Sequence, residues 1–186
     1  MKKIAVIFPG VGYHADKPLL YYSKKIAKEN GYEIVEIMYQ KLPANIKGNA
    51  TKMKEAFDRA FASAEKRLEE IEFQDYQEVL FLSKSIGTAV AASYAKKHRI
   101  NAKQVYYTPV YESFAAIGTE GIVFHGTADP WADTAMIQEE CRKREMTLFL
   151  TEGANHSMET GNVLKDLTIL QNIMIQTEKY IKTGIC

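Results

Sequence analysis

Cysteine is nearly absent from this sequence. The two present, Cys141 and Cys186, stand far apart and form no metal-ligand spacing. That usage suits a reducing compartment and excludes a disulfide framework. Neither sign of charge is in excess: 24 basic residues face 23 acidic ones, for a net +1. The balance argues against nucleic acid and anionic membrane surfaces as partners. No apolar run is long enough to span a bilayer. The start, Met1-Lys2-Lys3 and then Ile4 to Phe8, has the outline of a signal peptide, but its apolar stretch halts at Pro9-Gly10. That is too short for a signal core and reads as a buried strand. Repeats, low-complexity tracts and linkers are also missing. The expected setting is therefore the cytoplasm. The remainder, 186 residues of which 46% are apolar and 25% charged, is the composition of a globular chain. One domain over residues 1–186 is expected, with a substantial core.

The apolar pattern switches repeatedly between two periods. Ile4 to Phe8 is a continuous apolar run, as in a parallel strand covered on both faces. Pro9-Gly10-Val11-Gly12-Tyr13 breaks it with a loop. Pro18 to Asn30 has helical spacing, with proline in the first turn and Asn30-Gly31 as a stop. Tyr32 to Tyr39 alternates as a second strand. Ala50 to Ile71 is a long amphipathic helix with Met53, Phe57, Ala60, Phe61, Ala64 and Leu68 on one stripe. Further strands are expected from Glu78, at Gln104 to Thr108, at Gly121 to Gly126 and at Thr147 to Leu150. Helices are expected from Ala89 to about His98, over Asp133 to Arg144 and over Asn162 to Lys182. The last has Val163, Leu167, Leu170, Ile173, Met174 and Tyr180 on its apolar side. Strands alternating with helices predict an α/β fold: one doubly wound, mostly parallel sheet of about six strands with helices on both faces. Sites in such sheets lie at the carboxyl ends of the strands.

The central stretch is Glu78 to Ala89, where an apolar run meets Ser83-Lys84-Ser85-Ile86-Gly87 and then a helix former. Strand, sharp turn and helix with a serine at the apex hold a hydroxyl clear of a sheet. The usual pattern is G-x-S-x-G, and serine replaces its first glycine here. A serine hydroxyl needs a base, and the base needs an orienting group. Of four histidines, His98 sits in a basic helix end, His125 reads as a packed strand residue and His14 lies in the first loop. His156, in the loop after the last strand, is at the correct rim. Asp129, after its strand and before Pro130, is the candidate acid, although an aspartate there also suits a turn. Glu152 is the alternative acid. Asp133 reads as a helix cap.

Taken together, these segments resemble the α/β-hydrolase fold. Ser85, Asp129 and His156 follow that family's Ser-Asp-His order. His125-Gly126-Thr127-Ala128-Asp129 resembles its acid loop, Gly153-Ala154-Asn155-His156 its histidine loop, and Phe8 to Tyr13 its oxyanion loop, with Pro-Gly in place of His-Gly. The resemblance implies a serine hydrolase cleaving a small carboxylic ester or thioester through an acyl-enzyme, with no metal and no cofactor. It implies an oxyanion hole from the backbone of Ile86 and of Val11 or Gly12. The family sheet has eight strands, so this chain looks like a trimmed version lacking the leading two. Pro109 to Glu120 is too short for a cap domain, so an open pocket is expected, bounded by aromatics such as Tyr13, Tyr111, Phe114 and Trp131. Of these, Tyr13, Tyr111 and Trp131 are the candidates for contact with a small acyl substrate.

Two other classes stay open. One is a non-catalytic binding protein on the same fold, signalled by the altered elbow and oxyanion loop. The other is a nucleotide-binding domain, because Gly10-Val11-Gly12 follows the first strand; it lacks the third glycine and any phosphate-binding Gly-x-x-x-x-Gly-Lys motif. Composition is silent on oligomeric state.

Overall fold

The computed structural model describes residues 2–184, so Cys186 lies outside the described residues. Strands β1 (Lys3–Phe8), β2 (Glu33–Glu36), β3 (Glu78–Lys84), β4 (Lys103–Tyr107), β5 (Ile122–Gly126) and β6 (Thr147–Thr151) alternate with helices. The helices are α1 (Pro18–Glu29), α2 (Ala50–Leu68), α3 (Ile86–His98), α4 (Thr134–Lys143) and α5 (Val163–Thr183). The six strands form one sheet in the order β2-β1-β3-β4-β5-β6, and every pairing is parallel.

That order follows from right-handed crossovers. The chain steps outward from β1 to β2 through α1, then returns past β1 to β3 through α2. The two crossovers run in opposite directions, so their helices lie on opposite faces. Strands β1 and β3 become neighbours while the loops at their carboxyl ends diverge, and that divergence opens a crevice.

Each face has its own core. On one, Ala5, Ile7, Leu80, Leu82, Val105, Tyr107 and Phe124 pack under α1 and α5. On the other, Ile4, Val6, Phe8, Val79 and Phe81 meet Ala60, Ala64 and Leu68 of α2 and Val90, Ala91 and Tyr94 of α3. Further along that face Tyr106 and Val123 meet Ile137 and Cys141 of α4. Small residues on α2 and α3 let those helices approach closely. Three hydroxyls are buried without being orphaned: Tyr107 Oη is 2.9 Å from Ser23 Oγ and 2.7 Å from Thr177 Oγ1, tying α1, β4 and α5 together.

Helix starts match their caps. Asn49, Asp133 and Asn162 each accept a backbone N–H three residues on, and Pro18 opens α1. Two expectations are corrected. Strand β2 is shorter than Tyr32 to Tyr39, because β1 offers it partners only along Glu33–Glu36. In α5, Val163 and Leu167 are exposed: packing against the core begins about Ile169, and the first turns run free of it. Two short 3-10 turns, Phe73–Asp75 and Tyr111–Ala115, fall in stretches that carried no element in the sequence.

At the amino-terminal edge of the sheet, Glu78 gathers Lys3 at 2.5 Å, Lys103 at 2.8 Å and the Tyr32 hydroxyl at 2.7 Å. Burial opposes its charge, but these donors outweigh it and hold the carboxyl down at about 2. A depressed carboxyl contributes stability that is present above its unfolded value near 4.5 and is lost as pH falls toward 2. Glu78→Gln is therefore expected to lower the melting temperature at pH 7 and to lose less on acidification from pH 5 to pH 3 than wild type. Parallel acid limbs in thermal melts of the two proteins would refute this.

Candidate active site

The turn between β3 and α3 is set by close approach of backbones. Ser85 lies at φ 56°, ψ −126°, a conformation that costs a non-glycine residue about 1–3 kcal/mol. It is held there by its N–H, which donates to the Tyr107 carbonyl at 3.0 Å, and by Thr88 N–H donating to its carbonyl at 2.9 Å. Two residues on, a Cβ at Gly87 would lie 2.2 Å from the Phe8 carbonyl oxygen and 2.4 Å from that of Pro9. Only glycine lets the first turn of α3 sit on the end of β1. Ser83, where the usual elbow has glycine, fits because its buried hydroxyl donates to the Val105 carbonyl at 3.0 Å. Ser85 makes no side-chain cap, so its own hydroxyl is directed away from the helix.

The acid and histidine loops are joined edge to edge. A Cβ at Gly126 would lie 2.2 Å from the Ala154 carbonyl oxygen, which accepts the Ala128 N–H at 2.9 Å. Gly153 N–H donates to Thr127 Oγ1 at 2.8 Å. Thr108, at the end of β4, donates its hydroxyl to the His156 carbonyl at 3.1 Å. The result brings three side chains into one line. Ser85 Oγ is 2.8 Å from His156 Nε2, and His156 Nδ1 is 2.7 Å from Asp129 Oδ2. The other Asp129 oxygen accepts the Trp131 N–H at 2.8 Å, the turn role that the sequence also allowed. Trp131 stacks on the His156 ring, centroids 5.4 Å apart.

Electrostatics suit proton transfer. Burial opposes the charge on Asp129, but the bonds from His156 and Trp131 outweigh it and hold the carboxyl below the usual range. His156 is pushed below its ordinary value, by burial first, with Asp129 opposing and Lys84 adding to the shift. The imidazole is therefore neutral at pH 7. Its Nδ1–H donates to the carboxylate, which leaves Nε2 to accept from Ser85.

A cavity of about 150 Å³ opens beside Ser85, lined by Tyr13, Lys17, Met53, Lys84, Trp131 and His156 among others. An apolar groove of about 640 Å³ adjoins it and shares Met53, Ile86 and Val110 as walls. Val11 and Gly12 form the tip of a tight hairpin, closed by Gly10 N–H to the Tyr13 carbonyl at 3.0 Å and by Tyr13 N–H to the Gly10 carbonyl at 3.3 Å. That tip also lines the cavity, as does Ile86 at the start of α3. Tyr111 does not line it: the 3-10 turn carries the ring outward, 45% exposed. Phe114 is core, under the Arg144 guanidinium. His125 is buried with Nε2 3.0 Å from Thr134 Oγ1, and His98 pairs with Glu65 on the surface. Glu152 is exposed and takes no part. Sequence reasoning missed Lys17, Ile46, Met53 and Val110 as walls, because none carries a motif. It passed over Lys84 although Lys84 stands inside the elbow. Among the described residues no cluster suited to a metal ion occurs, and no helix is long and apolar enough to cross a membrane.

No family model and no curated protein matches the sequence. Solved structures do. A hydrolase of the α/β superfamily from Xanthomonas campestris superposes with a TM-score of 0.69 at 13% identity, covering 98% of this chain and 99% of that one. A serine hydrolase without a lid from the same organism gives 0.64 at 14% identity, covering 98% and 80%. Est1E from Butyrivibrio proteoclasticus, solved with ferulic acid bound, gives 0.62 at 11% identity, covering 95% and 89%. These likenesses extend over 95 to 98% of this chain. The chain thus has the α/β-hydrolase fold, in a minimal form with six parallel strands and no cap.

Proposed function

We propose that this chain is a serine hydrolase that cleaves a small carboxylic ester or thioester by way of an acyl-enzyme. The observation that carries the reading is the unbroken hydrogen-bonded line from Ser85 through His156 to Asp129, with spacings of 2.8 and 2.7 Å. His156 Nε2 takes the Ser85 proton as Oγ attacks the carbonyl carbon. Asp129 fixes the tautomer and stabilises the imidazolium. The tetrahedral oxyanion is met by the Ile86 N–H, at the positive end of the α3 dipole, and by an N–H of Val11 or Gly12. Each such donor contributes about 3 kcal/mol to lowering the barrier. The imidazolium then protonates the leaving alcohol or thiol. Water, activated by the same histidine, releases the acid and restores Ser85. The residues need no metal or cofactor for these steps. The cavity suits a short arm of the substrate, and the adjoining groove a longer apolar one. The buried free thiol of Cys141 agrees with a cytoplasmic setting.

A fluorophosphonate probe is expected to label wild type and to leave Ser85→Ala unlabelled. A non-catalytic binding protein on this fold would leave both unlabelled. His156→Ala and Asp129→Asn are expected to remain folded by circular dichroism and to lose about 10⁴-fold or more in kcat on nitrophenyl esters. Retention of full turnover by either would remove that residue from its role. The base must be neutral to act. Since His156 lies below its usual 6.5, kcat/KM is expected to fall only as pH drops beneath that value. An acid limb centred above pH 7 would contradict the environment described for the ring.

A further inference from the structure

We propose that the site selects esters carrying a carboxylate on one arm, held between the ammonium groups of Lys84 and Lys17. The inference rests on the hydrolase reading and names the substrate class of that same site.

Lys84 precedes the nucleophile and is fully buried, with a side-chain nitrogen that has no hydrogen-bond partner. Charged side chains inside a protein are ordinarily paired. Its neighbour is the face of Tyr13, whose ring centroid lies 5.0 Å from Lys84 Nζ. Lys17 Nζ lies 5.5 Å from the same ring. The Tyr13 hydroxyl is itself occupied, accepting the Leu19 N–H at 3.1 Å. Among the described residues Lys17 has no ion pair. Both lysines line the cavity that holds Ser85 and His156, and no aspartate or glutamate does. Asp129 lies behind the histidine with both oxygens engaged. A third cation, Lys47 Nζ, stands 5.6 Å from the ring centroid of Trp131, on the cavity wall. The whole chain carries a net charge of only +1, so this clustering is local. An aromatic face offers two ammonium groups a weak partner, and like charges sharing one ring repel. A carboxylate entering the cavity supplies the missing counter-ion to both.

Four titratable groups bear on Lys84: Asp129, Lys17, His156 and Tyr13. Burial pushes its amine down to about 7, Asp129 opposing and Lys17 adding to the shift. The ammonium is thus partly discharged at neutral pH while the cavity is empty. The charge is present below that value and lost above it, so selectivity for an anion weakens as pH rises.

The test compares monobutyl succinate, which has its carboxylate on the acyl arm, and carboxymethyl butyrate, which has it on the alcohol arm, with neutral butyl butyrate. Fluorophosphonate labelling of Ser85 is measured first on the same preparation, and loss of labelling there counts against the hydrolase reading itself. On unreacted enzyme from a preparation that labels, one half-ester is expected to exceed the neutral ester in kcat/KM by about 10- to 100-fold, the span of a charge-assisted contact. The ratio is expected to fall as pH rises above 7. Lys84→Met and Lys17→Met are each expected to reduce it. Lys17 is only half-buried, so its variant serves if Lys84→Met does not fold. Binding of succinate, read by calorimetry, checks the anion site without turnover and is expected in wild type but weakened at least tenfold in Lys17→Met. Equal or lower rates for both half-esters on unreacted wild type from a preparation that labels, or no succinate binding, would overturn the proposal.

Discussion

The first turn of α3 rests directly on the backbone at the end of β1, and the rest of the rim depends on that contact. It exists only because Gly87 has no side chain. The approach draws Ser85 into a positive-φ conformation, with its hydroxyl uncapped and the start of α3 on the wall of the same cavity. The hairpin at Gly10 to Tyr13 closes on the elbow from the other side. A Cβ at Gly10 would lie 3.1 Å from that of Ser85 and 3.2 Å from the Lys84 carbonyl oxygen. Ser85, the start of α3 and the hairpin are therefore packed directly against one another. The strain at Ser85 persists because β4, α3 and β1 all hold it there.

A second contact of the same kind fixes His156. Gly126 and Ala154 bring the ends of β5 and β6 within backbone reach, so the spacing between Asp129 and His156 is set by sheet geometry rather than by loop chance. Thr108 then fastens the histidine loop to β4. Three side chains that lie on three different loops are thereby referred to one sheet, whose inner strands β1, β3, β4 and β5 are buried on both faces. Precision of this kind comes from strand ends; the loops themselves need only be short.

Much of this was legible in the chain. The strand and helix order follows from the switching of apolar period, and Asn49, Asp133 and Asn162 mark helix starts by the chemistry of capping. Ser85, Asp129 and His156 were legible because each follows a strand, and the parallel topology sends every strand's carboxyl end to one rim. The cavity walls were not. Ile46 and Met53 reach the site through tertiary packing of α2 and the loop before it, and Val110 from the loop after β4, which leaves no spacing to read. Tyr111 misled because an aromatic beside the site looks like a substrate contact, whereas the 3-10 turn rotates it to solvent. Val163 and Leu167 misled because helical periodicity does not say where the core ends. Ser83 appeared to be a flaw in the elbow. The carbonyl that accepts its hydroxyl belongs to a strand 22 residues away.

Lys84 shows how one microenvironment sets several charges together. The burial that keeps His156 neutral is the same burial that partly discharges the neighbouring amine. Both groups lean on the single carboxylate of Asp129, which is already spent on the histidine. In an apolar core a lysine so placed would only destabilise, and a methionine of similar length would serve better. Here the cost sits one residue from Ser85, at the rim the strained elbow exposes. The hydrophobic walls strengthen any interaction made inside the cavity, because field lines there are not screened by water. An incoming anion would recharge Lys84 and at the same time relieve its repulsion with Lys17. The positive charge that now lowers His156 would be balanced, so the imidazole would be most basic when the site is filled.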